Sequence, residues 1–95
     1  MSAIQITVEN GRVSLAYEAK TKENIGKRIE QLKHSLNTDL YGVAAALGLE
    51  PTESNTRVIR RYQRDPSQGS YREMPENQWK ILLMLCDGQA AIKLI

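Results

Sequence analysis

The spacing of apolar residues changes character along this chain. Near the N-terminus, "AIQITVENGRVSLAYE" (residues 3–18) alternates apolar and polar side chains about Asn10-Gly11. That dipeptide favours a two-residue type I′ turn, because both of its central positions need positive φ. Counting outward predicts a β-hairpin pairing Glu9 with Arg12, Val8 with Val13, Thr7 with Ser14, Ile6 with Leu15 and Ile4 with Tyr17. The apolar pairs then share one face and the polar pairs the other. A lone two-stranded hairpin is marginal in water, so the apolar face is expected to pack on helices or to meet a second hairpin from another subunit.

Past residue 20 the period becomes helical. In "KTKENIGKRIEQLKHSLN" the residues Ile25, Ile29, Leu32 and Leu36 mark one face of an amphipathic helix, with Thr21 as N-cap and Asn37 near its stop. His34 falls off that stripe and is expected in solvent. "NTDLYGVAAALGLEP" reads as a shorter helix capped by Thr38, burying Leu40, Val43, Ala44 and Leu47 and ending at Gly48. "TESNTRVIRRYQR" follows as a third helix, capped by Thr52 or Ser54. After the loop "DPSQGSYREMP", Pro75 opens a fourth helix, "ENQWKILLMLCDG". It is apolar almost all round, as a central core helix would be. The tail "QAAIKLI" (residues 89–95) carries Ala91, Ile92, Leu94 and Ile95, too apolar for a frayed end, and is expected to dock on the core or on a partner subunit.

Composition narrows the chemistry. The 95 residues support one domain with one core, and 41% apolar and 25% charged residues are ordinary globular usage. A single cysteine, Cys86, excludes an internal disulfide and a cysteine-based zinc site, and it lies in an apolar run where a buried, inert thiol is expected. No nucleophile–base pair, phosphate loop or cluster of metal ligands is legible, so neither an enzyme nor a bound cofactor is expected. Glu50/Glu53 and Glu73/Glu76 are accounted for by the positive ends of helices. The longest apolar run, Ile81 to Cys86, is too short to cross a bilayer, and no secretory signal pattern is read. A cytoplasmic protein without a membrane partner is the expectation.

The net charge of +2 conceals a local excess. "TRVIRRYQRD" carries Arg57, Arg60, Arg61 and Arg64. On a helix at roughly 100° per residue, the four arginines occupy one arc of about 100°, with Val58, Ile59 and Tyr62 opposite. An ordinary solvated face mixes signs, because opposite charges at i,i+4 stabilise a helix by ~0.2–0.5 kcal/mol and like charges cost a similar amount. An all-arginine face therefore points to a polyanion. A planar guanidinium can bind a phosphate, or guanine O6 and N7, through two hydrogen bonds. Ser54, Asn55 and Thr56 stand where a recognition helix places its base-contacting first turn, and Tyr71 and Arg72 in the following loop could reach the DNA backbone. Tyr62 and Trp79 lie on apolar stripes and are expected in the core rather than stacked on bases.

A short helix with a central alanine, a closing glycine, a turn and then a basic helix is a helix–turn–helix arrangement. The expected architecture is thus mainly α: one domain over 1–95, with a β-hairpin at 1–20 followed by a four-helix helix–turn–helix core at 21–95 that includes the apolar tail. "VAAALGL" (43–49), "RVIRRYQRD" (57–65) and "GSYREMPENQWKILLML" (69–85) resemble the small Cro-like helix–turn–helix regulators of phages, and most of all the anti-CRISPR-associated (Aca) repressors. The resemblance covers about the C-terminal half. It implies a homodimeric, sequence-specific repressor reading an inverted repeat in double-stranded DNA through the helix around 54–64. The chain departs from that pattern at "EPTESN" (50–55), which reads as an insertion in the turn or an extension of the recognition helix. The hairpin also lies outside it. A two-fold interface could use the hairpin, the Trp79 helix or the tail. The alternative class is a small phage-type inhibitor or adaptor whose arginine face binds a nucleic-acid-binding or acidic protein partner.

Overall fold

The computed structural model describes residues 3–88, and the expectation for Ala91, Ile92, Leu94 and Ile95 lies outside them. The chain forms β1 (Ile4–Glu9), β2 (Arg12–Tyr17), α1 (Lys22–Leu36), α2 (Leu40–Ala46), α3 (Glu53–Tyr62) and α4 (Glu76–Cys86). The strands pair antiparallel in the register that the Asn10-Gly11 turn dictates, from Glu9 opposite Arg12 to Ile4 opposite Tyr17. Both turn residues hold positive φ, 53° at Asn10 and 75° at Gly11.

The helices begin and end where side chains satisfy the backbone groups that a helix leaves unpaired. Thr21 Oγ1 accepts from the Asn24 N–H (3.1 Å) at the start of α1, and Asn37 closes it in the left-handed conformation. At α2 the sequence expectation is corrected: the cap is Asp39, which accepts from the Gly42 N–H (3.2 Å), and not Thr38. Thr38 instead packs its side chain against the Gly42 backbone, so a Cβ at Gly42 would stand 2.8 Å from Thr38 Cβ and 2.7 Å from its Cγ2. Rotating a β-branched side chain cannot move its own Cβ away. Gly42→Ala is therefore expected to lower stability by about 1–3 kcal/mol, although alanine is the better helix former. A thermal melt of the variant checks this.

One core joins the helices. α1 contributes Ile25, Ile29 and Leu32, α4 contributes Trp79, Leu82 and Leu83, the α2 region Val43, Ala44 and Leu47, and α3 Ile59 and Tyr62, with α1 packed on α4 and α2 on α3. Met74 fills the interior beside them. α4 departs from its expected burial on every side. It packs on α1 from one flank, so Lys80 and Ile81 face outward. No helix among the described residues is long and apolar enough to cross a membrane.

The base of the hairpin is tied into this body. The Asp87 carboxylate accepts from the N–H groups of Ala3 (2.8 Å) and Ile4 (3.0 Å), and the Trp79 indole N–H donates to the Glu18 carbonyl (2.9 Å). Lys80 Nζ lies 5.1 Å above the Tyr17 ring, a cation–π contact across the same joint. Glu18 accepts a forked pair of hydrogen bonds from Arg28, at 2.9 Å from Nε and 2.8 Å from the terminal nitrogen, and Arg28 is itself buried within α1. Only the base of the hairpin's apolar face joins the core, through Ile4 and Tyr17. Ile6, Val8, Val13 and Leu15 stay exposed.

Candidate nucleic-acid interface

α3 is anchored at its start by Thr52, whose Oγ1 accepts from the Asn55 N–H (3.2 Å). The Asn55 amide donates to the Glu50 carbonyl (2.8 Å), so that side chain is engaged in closing the turn. Thr56 is a correction to the sequence-based set. It is 1% exposed and its hydroxyl donates to the Glu53 carbonyl (2.7 Å), because it begins the buried row that continues with Ile59 and Tyr62. Of the three polar residues expected in the first turn, Ser54 alone is fully exposed.

The opposite face carries Arg57, Arg60 and Arg61, all exposed. Their arrangement differs from a uniform row in two ways. Arg57 lies 3.5 Å from Glu53, one turn earlier, an exposed pair worth little in stability. α3 ends at Tyr62, so Arg64 lies beyond the helix, where its guanidinium donates to Ser70 Oγ (2.6 Å). The side chains of Arg60 and Arg61 make neither an ion pair nor a hydrogen bond with the described residues. Both stand in the last turn, where the negative end of the helix favours cations. The like-charge cost read from the sequence is accordingly smaller than an unbroken helix over 57–64 would impose.

The loop after α3 is held against it. The Arg72 N–H donates to the Arg61 carbonyl (3.3 Å), which brings the exposed Arg72 beside the end of the arginine helix. Tyr71 is half-buried and lines a cleft of about 280 Å³ together with Tyr62 and Pro66, so part of its ring is committed to packing. Asp65, the acid nearest the arginines in sequence, is turned away from them. It accepts from the Ser67 hydroxyl (2.7 Å) and N–H (2.9 Å) and pairs with Lys22 (3.2 Å). Those contacts, the Ser67 hydrogen bonds first, hold its carboxyl at about 2. The cation that Asp65 pairs with is thus Lys22 of α1 and not one of the arginines.

Tyr62 supports the face from behind. It is buried, its hydroxyl donates to Gln78 (3.0 Å), and burial raises its phenol above the ordinary value against the opposing influence of Arg72 and Gln78. The resulting surface gathers Ser54, Arg57, Arg60 and Arg61 from α3 with Arg64 and Arg72 from the loop. Thr56 is withdrawn from it, and Asn55 and Tyr71 are only partly accessible. The tie between Arg72 and α3 is the feature that sequence spacing alone could not reveal. No family model matches this chain, and no curated protein or solved structure matches it either.

Proposed function

We propose that this protein is a sequence-specific DNA-binding regulator of the helix–turn–helix type, acting as a homodimeric repressor on an inverted repeat. The observation that carries the reading is the sorting of α3: three exposed arginines on one side, Thr56, Ile59 and Tyr62 buried on the other, and Arg60 and Arg61 without intramolecular partners among the described residues. α2 packs against α3 after the short connection 47–52, which supports treating α3 as the helix presented to the major groove. Arg60 and Arg61 are assigned to base edges or phosphates, and Arg57, Arg64 and Arg72 to the backbone. The resemblance to anti-CRISPR-associated repressors is consistent with the same assignment.

Selection of bound sequences from a random duplex pool at about 150 mM salt, where non-specific binding is weak, tests the reading. An inverted repeat is expected, its half-sites spaced by about one helical turn or a multiple of it. Recovery of nothing above background would sink the proposal and assign the arginine face to an acidic protein partner.

A further inference from the structure

The chain exposes six large hydrophobic side chains among its described residues, and four of them, Ile6, Val8, Val13 and Leu15, form one continuous patch on the hairpin. Their exposures run from 45% to 67%, which amounts to roughly 400 Å² of largely apolar surface, a size at which the largest patch on a monomer is often functional. The opposite face of the same strands carries Gln5, Thr7, Glu9, Arg12 and Ser14. The alternation therefore separates an aliphatic face from a polar one, and nothing in residues 3–88 covers the aliphatic one.

We infer that this face is a two-fold interface with the same face of a second copy. The patch is aliphatic, free of charge and contributed by paired strands, so it offers no electrostatic handle for an unlike partner and complements itself. Two such sheets can stack about 10 Å apart with side chains interdigitating. Pairing two copies buries at most roughly 800 Å² of these residues' surface. With the rim of the patch, the total comes near the ~1,000 Å² floor for a specific interface, in the size class of weak, reversible pairing. A self-complementary contact of this kind closes at two subunits. It also rigidifies a hairpin that is marginal by itself. The Trp79 side chain is buried and bonded to Glu18, and of the large apolar side chains on its helix Ile81 alone is exposed, at 37%. The preference for a second copy rests in part on the proposed reading of an inverted repeat, which requires two linked recognition helices.

Sedimentation of the full chain over roughly 1–100 µM tests the interface, since contacts of this size assemble in that range. Wild type is expected to sediment as a dimer, and Val13→Lys and Val13→Glu each as monomers with helical melting retained. An equimolar mixture of the two variants should recover the dimer through opposite charges. Ser14→Lys, next to Val13 on the polar face, should remain dimeric, which separates loss of the interface from loss of the hairpin. A wild-type monomer across the range overturns the inference, and residues 89–95 or a different protein would then cover the patch. Dimers from both Val13 variants overturn it equally, in favour of another surface. Failure of the DNA reading looks different: the wild type then dimerises through the hairpin and binds no duplex. If both readings hold, Val13→Lys keeps its affinity for a single half-site and loses about tenfold or more on the inverted repeat.

Discussion

Replacing Arg60 and Arg61 together with alanine is expected to weaken binding to the selected duplex by at least two orders of magnitude while leaving the melting temperature almost unchanged. Each guanidinium placed bidentate on a base is worth about 1–3 kcal/mol, so two account for a loss of that size. Neither side chain is engaged by the described residues, and their removal deletes no packing; exposed substitutions of this kind usually stay within about 0.5 kcal/mol. The salt dependence adds a second reading. If one of the two contacts a phosphate instead, the slope of log affinity against log salt falls by about 0.9. Tyr62→Ala should behave in the opposite manner. Its ring is buried behind the arginines and its hydroxyl bonds Gln78, so truncation is expected to cost about 3 kcal/mol or more of stability. Fluorescence anisotropy with labelled duplex, beside thermal melts of the same samples, separates the two effects. Wild-type affinity in the double variant would remove α3 from the interface.

Arg28→Met is expected to cause the largest loss of stability from a single charged residue, about 3 kcal/mol. Arg28 is 6% exposed, donates twice to Glu18 and once to Gln31 (2.7 Å), and its loss leaves the mostly buried Glu18 carboxylate with only Lys27, at 3.4 Å, as a cationic partner. In a chain of this length that corresponds to a fall of about 12–24 °C in melting temperature. The double variant Glu18→Leu/Arg28→Met should recover much of it, since an apolar replacement of both partners leaves no unpaired charge.

The pH dependence provides an independent check. The Arg28 hydrogen bonds, more than any other influence, hold the Glu18 carboxyl below its ordinary value of 4.5. A carboxyl whose folded-state pKa is depressed contributes stability that is complete above its unfolded pKa and is lost as pH falls through the folded one. The stability difference between wild type and Arg28→Met should thus be full at neutral pH and shrink as the pH falls below about 4.5. Denaturant titrations at pH 7 and at progressively lower pH measure it. A constant difference would mean that the Arg28–Glu18 pair is not the source.

Local features were legible because local rules decide them. The Asn10-Gly11 turn sets the hairpin register through the φ values it demands, and the period of Ile25, Ile29 and Leu32 sets the buried face of α1. The division of α3 into a basic and a buried face was readable in the same way, since 3.6 residues per turn leave no freedom once the helix forms. Thr56 was misplaced because a threonine is compatible with either face; its position three residues before Ile59 puts it on the buried row, where its hydroxyl can bond within its own turn. The end of α3 at Tyr62 was likewise hidden. The Gln63 and Arg64 N–H groups close the last turn on the Arg60 and Arg61 carbonyls, and Arg61 also accepts from the Arg72 N–H, a bond between residues whose approach no local pattern specifies.

By itself, then, the amino-acid sequence determined the order of the elements, the register of the hairpin and the buried stripe of α1, because turns and amphipathic periods are governed by residues a few positions apart. Tertiary structure decided which of those sides are used. Arg28 falls on the inward row of α1 and is buried there only because Glu18, delivered by the end of β2, supplies a carboxylate at 2.8 Å. The hairpin's apolar face was expected to pack on helices or on a second hairpin from another subunit, and among the described residues the helices reach only its base at Ile4 and Tyr17. Whether an apolar face finds a partner within its own chain depends on how far neighbouring elements extend in space, and contacts of that range are set by the assembled core rather than by any local run of residues.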